Sequence, residues 1–272
     1  MIYFCATPIG NLEDITLRVI RILNEADCIY AEDTRHTLKL LNHYKIKKPL
    51  IACHEHNETA KADEIVERCL NGDNIAVCTD AGLPGISDPG GIVLLKAIEK
   101  NAPYTVLPGA NAAITALLLS GFDSNTFYFH GFLSRETRIR KEELKALSTC
   151  ASTIILYESP KRLTRTFGDL FDCFGERNAA LCKEITKIHE RVVRGKLSEL
   201  KEKFEDEKGE CVIIIEGMKK DAPEIEFDEL IKAMRDMVES GVKTKTAAKL
   251  IAANSNKGAN ELYNYYIKTV KQ

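Results

Sequence analysis

The chain has 272 residues, 44% of them hydrophobic and 29% charged, with 8 Pro and 16 Gly. That balance excludes a disordered or collagen-like chain, and the length predicts about two domains with a real core. Lys and Arg total 38 against 40 acidic residues, a net charge of −2, which excludes indiscriminate wrapping of nucleic acid and confines any RNA contact to a local patch. The 9 cysteines show no CxxC spacing. Zinc ribbons and thioredoxin-like sites are therefore excluded, and buried, reduced thiols are expected. The start of the chain has no basic leader, and its longest apolar run, 112–119, is far short of the ~18 residues of a membrane span. A soluble, cytoplasmic protein with no membrane partner is expected.

In chain order, a strand is predicted over 2–6 and a helix over 14–26, with Ile15, Val19, Ile22 and Leu23 on one stripe. A strand over 28–31, a helix over 34–44, a strand over 49–53 and a helix over 58–71 stopped by Gly72 follow. Next come a strand over 75–79, a helix over 90–100, a strand over 104–107 and an apolar helix over 111–120. This β-α alternation predicts a mainly parallel sheet covered by helices. After a pause at 121–125, strands are predicted over 126–132, 153–157, 179–183, 191–194 and 211–216, with helices over 138–147, 161–174 and 198–207. Clustered strands predict a second α/β domain with a mixed sheet. The acidic stretch 219–226 reads as a linker, and 227–272 as helical. Helices over 244–254 and 258–270 resemble a small helix-turn-helix unit, made basic by lysines at 243, 245, 249, 257, 268 and 271 against Glu261 alone. The expected domains are 1–120, 121–220 and 221–272.

Ligands of α/β sheets bind at the carboxyl ends of strands, so the loops there carry the information. After the first strand, Thr7-Pro8-Ile9-Gly10 makes a sharp turn. Gly10 lets a ligand approach the backbone, although any βα turn can use Pro and Gly. Residues 80–91 hold four Gly, two Pro and two Asp in twelve positions. Such a loop follows a fixed irregular path, and its carboxylates can receive ribose hydroxyls or a cation. The structural alternative is a tight connection capped by Asp88. Pro108-Gly109-Ala110-Asn111 fits a ligand lying on the backbone, or close helix–sheet packing. GxGxxG after the first strand, GxxxxGK[ST], GxSxG and HExxH are all absent, which removes the main support for Rossmann, P-loop and α/β-hydrolase readings. His54-Glu55-His56 has no third ligand set, so it reads as a polar loop edge and no metal is expected.

The ordered segments Thr7-Pro-Ile-Gly-Asn-Leu-Glu-Asp-Ile-Thr16, Ala31-Glu-Asp-Thr-Arg-His-Thr37, His54-Glu-His-Asn-Glu58 and Asp80-Ala-Gly-Leu-Pro-Gly-Ile-Ser-Asp-Pro-Gly90 are followed by Leu107-Pro-Gly109, Gly131-Phe-Leu133, Tyr157-Glu-Ser-Pro160 and Lys183-Glu-Ile-Thr186. This series resembles the small-subunit ribosomal RNA methyltransferases of the tetrapyrrole methylase superfamily, over nearly the whole chain including the basic tail. Gly85 departs from the pattern, where a larger aliphatic residue is expected, as does Ser134-Arg135-Glu136 in a loop that usually contains Pro; neither removes a ligand group. The resemblance implies an S-adenosylmethionine cofactor in a cleft between two α/β domains, one with a mostly parallel and one with a mixed sheet, plus a small C-terminal helical domain. It also implies a homodimer. The implied reaction is methyl transfer to the ribose 2′-oxygen of a decoding-centre cytidine in small-subunit rRNA, within the assembled 30S particle.

Loop position and the resemblance together assign the cofactor to Pro8, Ile9, Gly10, Asp80, Ala81, Gly82, Pro84, Ile86, Pro108, Gly109, Ala110, Asn111, Tyr157, Lys183, Glu184, Thr186 and Val212. Glu32, Asp33 or His54 can accept the 2′-hydroxyl proton. For RNA the candidates are Arg35, His56 and Asn57, then Arg138 and Arg140, then Lys245 and Lys249 of the tail. A local ion pair of Asp33 with Arg35, with a helix cap at Asp33 or Thr34, is the structural alternative. At least two of Tyr263, Tyr265 and Tyr266 are expected in core packing, although such rings can stack bases. Two competing readings stay open. One is a methyltransferase of a tetrapyrrole ring, which would need no basic tail. The other is a non-catalytic ribosome-assembly factor, which would not need the 80–91 loop.

Overall fold

In the computed structural model, the described residues are all but 205–206, 220–226, 253–254, 256 and 271–272. The chain divides into two compact units, Met1–Met218 and Lys219–Gln272. The linker expected at 219–226 lies, beyond Lys219, outside the described residues, as does Lys271.

The first unit begins with strands β1 (Ile2–Cys5), β2 (Cys28–Ala31), β3 (Leu50–Ala52), β4 (Ile75–Cys78) and β5 (Tyr104–Leu107). They form a parallel sheet in the order β3-β2-β4-β1-β5. Alternate side chains point to opposite faces. Ile2, Phe4, Tyr30 and Val77 pack with Ile65 and Val66 of α3 (Glu58–Leu70) and Val93 and Ala97 of α4 (Gly91–Glu99). Cys5, Ile29, Ala76 and Leu107 pack on the other side against Val19, Ile22 and Leu23 of α1 (Leu17–Glu25) and Leu40 and Leu41 of α2 (Thr34–His43). A sheet covered on both faces needs nearly continuous apolar strands, which is why these runs show no alternation. The first helix starts later than its periodicity predicts. Asn11 opens a 3-10 turn over Leu12–Asp14, and the Thr16 hydroxyl then accepts from Val19 N at 3.1 Å as the cap of α1.

The second sheet joins β6 (Phe127–Phe132), β7 (Thr153–Glu158), β8 (Asn178–Lys183), β9 (Arg191–Lys196) and β10 (Cys211–Ile215) in the order β6-β7-β10-β8-β9. Only β6 and β7 run parallel, so the sheet is mixed. One face packs on α6 (Thr137–Leu147), α7 (Leu163–Phe174) and the short α8 (Leu197–Leu200). The other face takes α5 (Ala112–Ser120), whose Ala113, Ala116 and Leu117 meet Ile155, Ala180 and Ile214. The helix that leaves the first sheet therefore lies on the second, which accounts for its lack of a polar stripe. The helix expected over 198–207 is helical only over Leu197–Leu200 among the described residues, and Phe204 buries its ring beyond it. All nine cysteines are free, and all but Cys150 and Cys173 are buried. Among the described residues no helix is long and apolar enough to cross a membrane.

The second unit contains α9 (Phe227–Glu239), α10 (Thr244–Ala252) and α11 (Ala259–Val270), packed around Leu230, Met234, Ala247 and Leu262. Tyr266 is in this core and Tyr263 packs against it, while Tyr265 is exposed and stands edge-on to Phe227.

Candidate active site

The exits of β1, β4 and β5 meet the ends of β6 and β7 and the entry of β10 around a cavity of about 380 Å³, within the ~300–1,000 Å³ range of small-molecule sites. Ile9, Ala81, Gly82, Ile86, Asn111, Tyr157 and Val212, all expected from the sequence, line it. Its other walls include Leu83, Asp88, Phe132, Glu158, Ser159 and the Gly209–Glu210 turn.

Among the described residues, the charged groups lining this cavity are the carboxylates of Asp88, Glu158 and Glu210, with no Lys, Arg or His. Glu158 is fully engaged: it accepts from Ser159 N at 2.7 Å and the Thr166 hydroxyl at 2.6 Å, and pairs with Arg162 at 3.2 Å. Glu210 pairs with Lys187 at 3.0 Å. Among the described residues Asp88 has no such partner. Burial, with Asp80 and Glu210 adding like charge, pushes its carboxyl above the ordinary value. Tyr157 forms an aromatic wall, edge-on to Phe129 and Phe132 at 5.1 and 5.5 Å between ring centroids. Burial raises its phenol, opposed by a hydrogen bond from the Ala113 backbone.

Several devices hold the loop after β4. Thr7 and Gly82 exchange backbone hydrogen bonds of 2.9 and 3.0 Å. Gly85, the departure from the family pattern, has φ +82°, a left-handed value that glycine takes without strain. Gly90 has φ +126°, and a Cβ there would sit 2.9 Å from Pro84 Cβ. The cap expected of Asp88 is not what closes the loop: Gly90 is the N-cap residue of α4 and has no side chain to offer. Glu58, the first residue of α3 and 5% exposed, does so instead. One of its carboxylate oxygens accepts from Gly90 N, Ile92 N and Val93 N at 2.8, 2.9 and 3.3 Å.

The proton-acceptor candidates sit outside the cavity. Glu32 accepts from Asp80 N at 3.3 Å, while Asp80 accepts from Asp33 N at 3.1 Å, so the loops after β2 and β4 brace each other. Burial pushes the Glu32 carboxyl up. Asp33 caps α2 through Arg35 N at 2.8 Å and is clasped by the Arg35 guanidinium at 3.1 and 2.7 Å. That clasp holds its carboxyl well below the usual range, so Asp33 is a poor proton acceptor. His54 donates its backbone N–H to Asn57 at 2.8 Å, and its buried Nδ1 has no partner among the described residues. The Asn57 amide also donates to Ala52 O, so this side chain braces its own loop; His56 is exposed.

The fold holds the other candidates as follows. The space over Gly10 is filled by the chain itself: a Cβ there would lie 2.6 Å from Lys187 Cγ. Gly109 likewise permits close packing, with a Cβ position 2.7 Å from Ala6 Cβ. Arg140 does not face solvent. It is 1% exposed, donates to Asp169 at 2.8 Å and caps the carbonyls of Ser134 and Arg135. Arg138, on the same helix, is exposed, as are Arg35, Lys245 and Lys249. Lys183 is buried and paired with Glu207. Glu184 accepts from Glu210 N at 2.9 Å and lies over Gly209, so it shapes the wall instead of lining it. Glu184 and Thr186 take φ +49° and +64°, left-handed values that cost non-glycine residues roughly 1–2 kcal/mol each. Pro84, Pro108, Ala110 and Thr186 are not among the lining residues of this cavity, and Pro8 and Asp80 line a second one of about 250 Å³. Sequence reasoning missed Glu158 and the Gly209–Glu210 turn. The abrupt strand exit Tyr157-Glu158-Ser159-Pro160 was a usable signal for the first; the turn has none. Among the described residues no cluster of His, Cys, Asp and Glu is placed to hold a metal.

The family model of tetrapyrrole (corrin/porphyrin) methylases matches residues 1–201. The chain is 40% identical to a protein named "Ribosomal RNA small subunit methyltransferase I" from Halalkalibacterium halodurans, over 97% of this chain and 94% of that one. It is also 40% identical to one of the same name from Bacillus subtilis, over 98% and 94%. In fold it is similar to diphthine synthase, with a TM-score of 0.63 at 14% identity over 79% of this chain and 89% of that one. A uroporphyrin-III C-methyltransferase from Thermus thermophilus complexed with S-adenyl homocysteine gives a TM-score of 0.58 at 17% identity, over 79% and 96%. With the parallel and mixed sheets and the cavity where their strand ends meet, these matches establish that the chain belongs to the tetrapyrrole methylase family, among the relatives named ribosomal RNA small subunit methyltransferase I.

Proposed function

We propose that this protein is an S-adenosylmethionine-dependent methyltransferase acting on the ribose 2′-oxygen of a decoding-centre cytidine in small-subunit rRNA. The observation that carries the cofactor reading is the cavity itself: an Asp88 carboxylate on its wall that no cation offsets among the described residues, apolar and aromatic walls, and no basic side chain among its described lining residues. Such a site favours a ligand with net positive charge and a flat apolar part. Asp88 faces the positive charge, and Ile9, Ile86, Phe132 and Val212 supply walls for a purine. When bound, the cofactor supplies a methyl group already activated on a sulfonium. The chain's own task is to align the acceptor oxygen with that methyl and to receive a proton. Of the two carboxylate candidates Glu32 suits this better: it reaches the Asp80 backbone N–H at 3.3 Å and is left without a cationic clasp among the described residues, whereas the Arg35 guanidinium occupies Asp33 at 3.1 and 2.7 Å; His54 stays a candidate beside it.

The acceptor assignment rests on the relatives' name and on exposed cations. In the second unit Lys245 and Lys249 face solvent, with the Lys245 ammonium 5.8 Å from the centre of the Tyr263 ring; in the first unit Arg35 and Arg138 do. The homodimer reading is supported by exposed apolar side chains, among them Leu95 of α4, Val106 of the edge strand β5, Leu118 of α5 and Phe127 of the edge strand β6. The 30S particle is the proposed substrate and the cytoplasm the proposed location. Incubation with methyl-labelled S-adenosylmethionine and 30S particles from cells lacking the gene tests the whole reading. Label mapped to one ribose 2′-oxygen is expected. Label accepted only by a tetrapyrrole refutes the RNA assignment, and absence of cofactor binding refutes the enzyme.

A further inference from the structure

The segments that wall the first cavity also wall a second. Ile9, Ala81 and Gly82 line the first; Thr7, Pro8, Thr79 and Asp80, directly before them, line the second, with α2 opposite. The second cavity, about 250 Å³, has room for a group of nucleoside size. Pro8, Leu12 and Leu40 give it apolar sides, and His36 and Lys39 bring cationic or hydrogen-bonding groups to it.

Two polar groups in it lack a full set of partners. Thr37 is 2% exposed, and its hydroxyl has no hydrogen-bond partner among the described residues. Its hydroxyl does not bond back to the Asp33 carbonyl one turn earlier, which accepts Thr37 N at 3.0 Å. A buried hydroxyl without a partner points to a ligand that completes it. Asp80 spends one carboxylate oxygen on Asp33 N and has the other for a donor.

We propose that this second cavity receives the acceptor nucleoside, turned out of the RNA strand, and that Asp80 selects cytosine by accepting from its exocyclic amine. The inference rests on the rRNA-methyltransferase reading and names the specificity residue within it. Enzymes that modify one nucleotide of a stacked strand extrude it into a snug pocket and read its pairing edge. A carboxylate discriminates cytosine, whose exocyclic nitrogen donates, from uracil, which presents an acceptor oxygen at that position. Thr37 pairs with the same nucleoside, and Lys39 meets its phosphate. The adjoining cavity then places the methyl donor beside the extruded ribose.

The test compares wild type, Asp80→Asn, Thr37→Val and Thr37→Ser. The substrates are unmodified 30S particles carrying the mapped cytidine and particles with uridine in its place. Cofactor affinity is measured on the same preparations by calorimetry. Wild type is expected to prefer the cytidine particle at least tenfold in kcat/KM. Asp80→Asn keeps an oxygen for Asp33 N and is expected to lose most of that preference. Thr37→Val raises KM for the particle several-fold, Thr37→Ser restores it, and cofactor Kd stays within twofold throughout. An unchanged cytidine preference in Asp80→Asn, or a loss of cofactor binding in it, overturns the inference while the methyltransferase stands. Wild type that labels neither particle overturns the RNA reading itself.

Discussion

Replacing Glu58 tests whether a remote carboxylate holds the loop after β4, the proposed cofactor loop. Its oxygen takes three backbone donors, those of Gly90, Ile92 and Val93, at 2.8, 2.9 and 3.3 Å. The capping residue Gly90 offers no substitute. A hydrogen bond to a charged group contributes ~1.5–3 kcal/mol, and an anion at a partly buried helix N-terminus up to ~2 kcal/mol. The three bonds share one oxygen and the third is long, so they do not add; water reaches Ile92, which is 41% exposed, but not the buried Gly90 bond. Glu58→Ala is therefore expected to destabilise the first unit by about 3 kcal/mol. Glu58→Gln, which keeps an oxygen and loses the charge, should cost about 1 kcal/mol. Urea unfolding followed by circular dichroism reads both. Because Ile86 and Asp88 sit on the loop that this cap closes, cofactor affinity should fall in the same order. An alanine variant with the wild-type unfolding midpoint would refute the reasoning.

Asp88→Asn trades stability against binding. The folded carboxyl lies above its unfolded value, so between the ordinary ~3.9 and the raised value the folded state binds more protons, and stability falls as pH rises through that window. The variant should be more stable than wild type at pH 7.5, lose that advantage near pH 4 in thermal melts, and bind the cofactor about tenfold more weakly (~1.4 kcal/mol); equal cofactor affinity would remove Asp88 from the site. Arg140→Met leaves Asp169, 13% exposed, without its partner. It should cost about 3 kcal/mol of stability without changing the particle affinity of the folded protein, measured by filter binding. Gly90→Ala must accommodate φ +126° and a 2.9 Å approach to Pro84, and should lose roughly 1–3 kcal/mol together with cofactor affinity by calorimetry. Ending the chain at Met218 should spare cofactor binding and weaken binding to 30S particles about tenfold, the loss of a basic unit; undiminished particle affinity would place the RNA contact in the first unit.

Local patterns determined the elements and the site loop. Apolar runs of four or five residues separated by amphipathic helices can only be buried as a helix-covered sheet, and the Gly and Pro density of 80–91 marked a loop with an unusual path. Both readings depend on neighbours in the chain, so the sequence by itself carries them. Strand order, the partner of each side chain and the occupant of each gap depend on distant segments, and only the tertiary structure decided those. Glu158 reaches the cavity because β10 pairs antiparallel with β7, setting Cys211 opposite Glu158 and Val212 opposite Tyr157. Glu58 finds the end of α4 across the β4 crossover, Arg140 finds Asp169 from the neighbouring helix α7, and Lys187 fills the space over Gly10. A glycine, an arginine or a buried carboxylate looks the same in sequence whether a ligand or another part of the chain lies against it. Close packing settles which, since a space already filled by the fold leaves no room for a ligand.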